Sequence, residues 1–118
     1  MARKARPAKP PTYDQGLVEK IRVALGPRPE IVERKMFGGI AFLVNGHMAC
    51  GVNKRDLMVR VGPDGYQDAL AQPHARPMDF TGKPLKGFVY VDVENLDAET
   101  LSAWVMRGFD FASSLPPK

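Results

Sequence analysis

The fold is decided by residues 34–61, which read RKMFGGIAFLVNGHMACGVNKRDLMVRV. Asn45-Gly46 is the strongest short signal for a β-hairpin, because a type I′ turn needs positive φ at both central residues. Apolar residues flank this turn on both sides, and an alternating pattern resumes over residues 57–61. The stretch therefore predicts an antiparallel meander on which the other elements pack.

A two-residue turn fixes the register of the two strands around it. The predicted pairs are Val44 with His47, Phe42 with Ala49 and Ile40 with Gly51 on one face, and Leu43 with Met48, Ala41 with Cys50 and Gly39 with Val52 on the other. Both faces are apolar, so helices should cover one of them and a further layer or a partner chain the other. We expect a homodimer, because symmetric pairing hides excess apolar surface.

Length and cysteine content indicate one domain in a reducing compartment. The chain has 118 residues and a single cysteine, Cys50, so it has no intramolecular disulfide framework. No apolar stretch reaches the roughly 20 residues that a membrane span needs, and the N-terminus lacks a hydrophobic signal core. We expect a cytoplasmic protein with no membrane contact, whose single domain covers residues 12–118.

The formal net charge of +4 lies in residues 1–11, which also contain three prolines and no acid. The bases there are Arg3, Lys4, Arg6 and Lys9. The remaining chain carries 13 bases and 13 acids, so its charges balance. We predict a disordered basic arm, because such a segment cannot bury enough apolar surface to fold. It is either a solubilising extension or a contact to nucleic acid through these four bases.

Three amphipathic helices are predicted around the meander. The first has an N-cap at Thr12 and ends at Gly26, the second is short and ends before Pro73, and Asn95 or Asp97 caps the third. Gly108 within the third helix predicts a close approach or a bend. Strands are predicted at residues 31–37, 40–44, 47–52, 57–61, 78–80 and 88–93. The fold class is α+β, with the order α-β-β-β(-β)-α-β-β-α.

The residues with catalytic or ligating chemistry form no convincing site. His47 and Cys50 have the spacing of a metal-ligand pair, but residues three apart on a regular strand point to opposite faces. The same geometry opposes a cysteine–histidine nucleophile, for which His74 is the remaining base. Gly38-Gly39 forms either an anion-binding nest or a turn between strands, and the turn explains both glycines. We predict no catalytic residue, no metal, no cofactor and no enzymatic activity.

One block of residues resembles a known family. Lys35, Met36, Phe37, Gly38 and Gly39, followed by the Asn45-Gly46 hairpin, are similar to the N-terminal domain of the TfoX/Sxy family, which is named for bacterial competence regulators. The resemblance extends from about residue 13 to the C-terminus. It implies an antiparallel α+β fold of the YgaC/TfoX-N and type III secretion chaperone-like group, with three strands before the second helix. The sequence pattern gives one strand more.

The resemblance also shapes the functional hypotheses. Longer family members carry a second, helical domain and act with a cyclic-AMP receptor protein on competence promoters. This sequence ends where that domain would start, so we expect a stand-alone N-terminal domain. The leading hypothesis is a protein-interaction module with a protein partner in transcription regulation. The alternatives are nucleic-acid binding through the basic arm, and a small-molecule or enzyme role that would use His47, Cys50 or His74.

Overall fold

A computed structural model of the protein describes residues 13–36, 38–79, 84–94 and 96–117. These residues form three helices and six strands: α1 (Gln15–Leu25), β1 (Ile31–Met36), β2 (Gly39–Val44), β3 (His47–Asn53), β4 (Asp56–Arg60), α2 (Tyr66–Leu70), β5 (Ala75–Asp79), β6 (Pro84–Asp92) and α3 (Ala98–Ser114). The predicted basic arm, including Arg3, Lys4, Arg6 and Lys9, lies outside the described residues.

The six strands form one antiparallel sheet in the order β1-β2-β3-β4-β6-β5. This confirms the α+β class, and the four strands before α2 agree with the count from the sequence pattern. One face carries the main core together with residues of all three helices. None of the described helices has the length and apolar character needed to cross a bilayer.

Side-chain caps set where the two long helices begin. The Asp14 carboxylate accepts a hydrogen bond from the Leu17 amide at 3.2 Å, and the Asp97 carboxylate accepts one from the Thr100 amide at 2.7 Å. Asp97 is one of the two predicted caps. The prediction of Thr12 for α1 was wrong, because the N-cap is Asp14, two residues later. Gly26 ends α1 with φ of 69°, as a permissive residue allows.

The β2–β3 hairpin has the predicted turn but a different register. Asn45 and Gly46 have φ of 53° and 86°, and Val44 pairs with His47. Beyond that turn Ala49 is an extra residue in β3. The observed pairs are therefore Phe42 with Cys50, Ala41 with Gly51 and Ile40 with Val52. The predicted partner of each β2 residue was one position earlier in β3, so the predicted register beyond the turn was wrong by one residue.

The bulge coincides with a close contact of α3. A Cβ atom on Gly108 would overlap the carbonyl oxygen of Ala49, so the helix lies directly on the bulged backbone. The predicted close approach at Gly108 is confirmed. Ala49 and Cys50 are both fully buried. On a regular strand two adjacent side chains point to opposite faces, so both would be buried only if both faces of the sheet were covered.

Several strand bounds also differ from the sequence expectation. β5 covers Ala75–Asp79, where residues 78–80 were predicted, so the strand includes Pro77. Pro77 lies in an edge strand, where a missing N–H breaks no ladder bond to an outer neighbour. β6 begins at Pro84 and ends at Asp92, and β4 covers Asp56–Arg60, one residue earlier than predicted.

Candidate protein-interaction site

The bulge at Ala49 changes the relation between His47 and Cys50. Val44 and Phe42, two residues apart on β2, share a face, and they pair with His47 and Cys50. The two side chains therefore lie on the same, helix-facing side of β3. The prediction of opposite faces was wrong, because it assumed a regular strand between them.

Sharing a face does not make this pair reactive. Nε2 of His47 lies 2.7 Å from the carbonyl oxygen of Pro116, and its Nδ1 is buried without a hydrogen-bond partner. Burial raises the pKa of the Cys50 thiol to about 12, so it stays protonated near neutral pH and is a poor nucleophile and ligand. Among the described residues, no group of three His, Cys, Asp or Glu side chains could hold a metal ion.

The two glycines of the family block serve backbone geometry. Gly38 has φ of 76°, which glycine adopts without steric cost. A Cβ atom on Gly39 would overlap the carbonyl oxygen of Val52 on the neighbouring strand. Positive φ at Gly38 and close strand packing at Gly39 explain why glycine suits both positions.

The sheet face opposite the helices is largely closed by its own side chains. Met58, Met78 and Tyr90 form a second cluster that contains no helix residue, and each is less than a tenth exposed. Long side chains lie along the sheet: a Cβ atom on Gly51 would come within 2.8 Å of the Met58 methyl group. The apolar surface that the sequence assigned to a further layer or a partner is thus mostly buried within the chain.

Polar contacts border this second cluster. Arg76 forms an ion pair with Asp56 at 2.6 Å and lies 4.9 Å above the ring of Tyr90. Asn53 donates a hydrogen bond to the Tyr90 hydroxyl at 3.2 Å, and burial raises the pKa of that hydroxyl. These contacts pair the polar side chains at the border with one another, so they leave a partner few unpaired hydrogen-bonding groups there.

An apolar groove of about 510 Å³ runs between α1 and α3, and we call it the helix groove. Its lining residues are Glu19, Lys20, Val23, Ala24, Leu96, Ala98, Leu101 and Ser102. Val23 is 82% exposed and is the most exposed large hydrophobic residue described. The two alanines leave room for another side chain to approach the groove.

Charged residues line the rim of the helix groove. Arg22 bonds to the Glu19 carboxylate and also to both Glu33 carboxylate oxygens, at 2.8 and 2.7 Å. The hydrogen bonds from Arg22 lower the pKa of Glu33 and fix the end of α1 to β1. Lys20, on the same rim, forms no ion pair with any described residue.

A second cleft, of about 470 Å³, lies between α3 and the loop before β5. His74, Thr100, Trp104 and Arg107 are among its lining residues. The Arg107 guanidinium already donates to the Gly65 carbonyl oxygen and to the Asp68 carboxylate, each at 3.1 Å. Of the three candidates named from the sequence, His47, Cys50 and His74, only His74 lines this cleft. The Arg107 guanidinium in the same lining is already paired.

Sequence reasoning missed the helix groove. The buried residues Leu17, Ile21 and Leu25 recur every four residues along α1, and Val23 falls off that stripe. An apolar residue on the polar side of an amphipathic helix was the available signal. Trp104 and Phe109 of α3 are buried in the core.

Comparisons with known proteins identify one family. The family model described as TfoX N-terminal domain matches residues 24–112, which is most of the chain. No curated protein and no solved structure gave a match. The matched range includes every strand of the sheet, α2 and most of α3, together with the end of α1.

Proposed function

The chain belongs to the family of TfoX N-terminal domains, and we propose that it is a non-enzymatic protein-interaction module in transcription regulation that pairs two copies through the helix groove. The observation that carries this proposal is Val23, which is 82% exposed beside an apolar groove. Soluble proteins carry scattered exposed apolar residues, but one that borders an apolar concavity is typical of an interface.

A second copy fits this surface because the surface complements itself. Val23 is at once a wall of the helix groove and a protruding side chain, so a two-fold axis can place each Val23 in the groove of the other copy. Glu19 and Lys20 carry opposite charges on the same rim, which allows each lysine to face the glutamate of the other copy. Both features support a symmetric pair.

A role in interaction is better supported than a role in catalysis. The one thiol is buried with a raised pKa, and the imidazole on the same face is held by a backbone carbonyl. The proposed activity therefore rests on surfaces and not on a reactive group. Regulation of transcription enters through the family, whose longer members act at promoters.

Dilution followed by nuclear magnetic resonance tests the proposal. Amide shifts that move between roughly 10 µM and 1 mM protein should lie in α1 and in the first half of α3, since these segments line the groove. The variant Val23→Glu should remove the concentration dependence. Leu85→Glu is the matched control, because Leu85 is also exposed, at 42%, and does not line the groove. Shifts confined to other segments would contradict the proposal.

A further inference from the structure

The two edges of the sheet differ in their capacity to pair with another strand. β5 forms one edge and contains Pro77, which has no N–H to donate. β1 forms the other edge and reads IVERKM, without proline or glycine. Of the two described edges, β1 is therefore the one that can extend the sheet.

The hairpin fixes which backbone groups of β1 point outward. The pair that closes a two-residue turn, Val44 with His47, exchanges both hydrogen bonds, and such pairs alternate along a strand. The backbone N–H and C=O groups of Leu43 and Ala41 therefore point toward β1. The backbone groups of their partners, Val32 and Arg34, point back toward β2.

The alternation leaves the N–H and C=O groups of Glu33 and Lys35 directed away from the sheet. Neither residue has a backbone hydrogen bond to another segment in the described structure. The Ile31 amide supports the same alternation, because it donates to the Arg28 carbonyl oxygen instead of to β2. β1 thus presents two unpaired donor and acceptor sets at the spacing of a strand.

The side chains of this edge are positively charged. Arg22 holds the Glu33 carboxylate at 2.8 and 2.7 Å, which neutralises the one acid on the strand. Arg34 and Lys35 are exposed and form no ion pair with any described residue. Val32 is 53% exposed and lies with Arg34 on the sheet face opposite the helices, so the edge combines an apolar position with free cations.

A second copy of β1 is a poor occupant. A two-fold axis that pairs antiparallel strands must place residues of the same face opposite each other. The two registers that pair at least five residues of β1 put either Glu33 opposite Glu33 or Arg34 opposite Arg34. In either register Arg34 and Lys35 meet no unpaired acid, because Arg22 already holds Glu33, so a second copy complements the charge of this edge poorly.

We propose that β1 binds an extended, acidic segment of a partner protein, which adds to the sheet as a seventh strand. Backbone bonds to Glu33 and Lys35 supply the pairing, while acidic side chains beside Arg34 and Lys35 and an apolar one beside Val32 supply selectivity. The inference rests on the proposed function as an interaction module. The β1 edge is a different surface from the helix groove, so an experiment can refute either the strand proposal or the dimer proposal without the other.

Fluorescence anisotropy with defined peptides tests the inference on the full chain. The probe is a labelled peptide of two Glu-Glu-Thr-Val repeats, which in an antiparallel strand places glutamates beside Lys35 and Arg34 and a valine beside Val32. The controls are the same peptide methylated on alternate backbone nitrogens and a peptide of two Lys-Lys-Thr-Val repeats. The acidic peptide should bind at least about tenfold more tightly than either control, and more weakly as salt rises. Equal binding of the methylated peptide, or no binding of the acidic one, would overturn the proposal.

Variants locate the binding on the chain. Arg34→Glu with Lys35→Glu should weaken binding of the acidic peptide at least about tenfold, because both opposing charges are reversed. Lys54→Glu with Arg55→Glu, in the turn between β3 and β4, is the matched control and should bind as the wild type does. Val23→Glu should also bind normally, which separates this inference from the proposed dimer. An unchanged affinity in the double β1 variant would refute it.

Discussion

Replacing Gly108 with alanine should destabilise the protein, although alanine is the better helix former. An added Cβ would overlap the Ala49 carbonyl oxygen and lie 3.3 Å from a methyl group of Val59. Because the obstacle is backbone, α3 would have to move away from the sheet. Overpacking of this kind costs about 1–3 kcal/mol, and helix propensity returns up to about 1 kcal/mol. We expect a net loss of about 1–2 kcal/mol.

Gly16→Ala is the matched control. Gly16 lies in the first turn of α1, is exposed, and its added Cβ would meet only the Asp14 carboxylate, at 3.2 Å. The same substitution there should change stability by no more than about 1 kcal/mol, because the capping Asp14 side chain has only to shift slightly. A larger loss at Gly108 would show that contact with the sheet, and not helix propensity, decides the outcome there.

Urea unfolding followed by tryptophan fluorescence measures both variants, because Trp104 is the single tryptophan and is buried. The midpoint of thermal unfolding should fall by roughly 4–10 °C in Gly108→Ala. A Gly108→Ala protein as stable as the wild type would refute the close packing of α3 on the bulge at Ala49.

Three further predictions follow from the described chemistry. The Cys50 thiol, with its pKa raised to about 12, should resist alkylation at pH 8 in the folded protein and react fully in urea. At pH values above the usual range of glutamate pKa values, the Glu33→Gln variant should be less stable to unfolding than the wild type. The difference should vanish as pH falls through the lowered pKa of Glu33 in the folded state, because Arg22 stabilises only the carboxylate; a pH-independent difference in denaturation midpoints would contradict this. Deleting residues 1–11 should abolish salt-sensitive binding to a DNA duplex if the arm contacts nucleic acid, and unchanged binding in a filter assay would exclude that alternative.

Much of the fold could be predicted because local signals and burial agree. Asn45-Gly46 gave the hairpin turn, the 3.6-residue period gave α1 and α3, and the strand count before α2 was right. The bulge at Ala49 could not be predicted, since no local signal marks it and its contact with Gly108 joins residues more than 50 positions apart in sequence.

The candidate surfaces were harder to predict than the fold. Val23 is significant only because α3 lies beside α1 and forms a groove there. The outward direction of Glu33 and Lys35 depends on which strand occupies the sheet edge, and sheet order is a tertiary property. The error at His47 and Cys50 came from the same source, because a single extra residue reverses the face of every residue after it.

Sedimentation equilibrium of the wild type, Val23→Glu and Leu85→Glu tests whether two copies pair through the helix groove. Burying one Val23 in each partner groove is worth roughly 3 kcal/mol or more for the pair, so its loss should raise the dimer dissociation constant at least about 100-fold. We expect a monomer–dimer equilibrium between roughly 10 µM and 1 mM for the wild type and Leu85→Glu, and a monomer for Val23→Glu. A monomeric wild type, or a dimer that survives Val23→Glu unchanged, would contradict it.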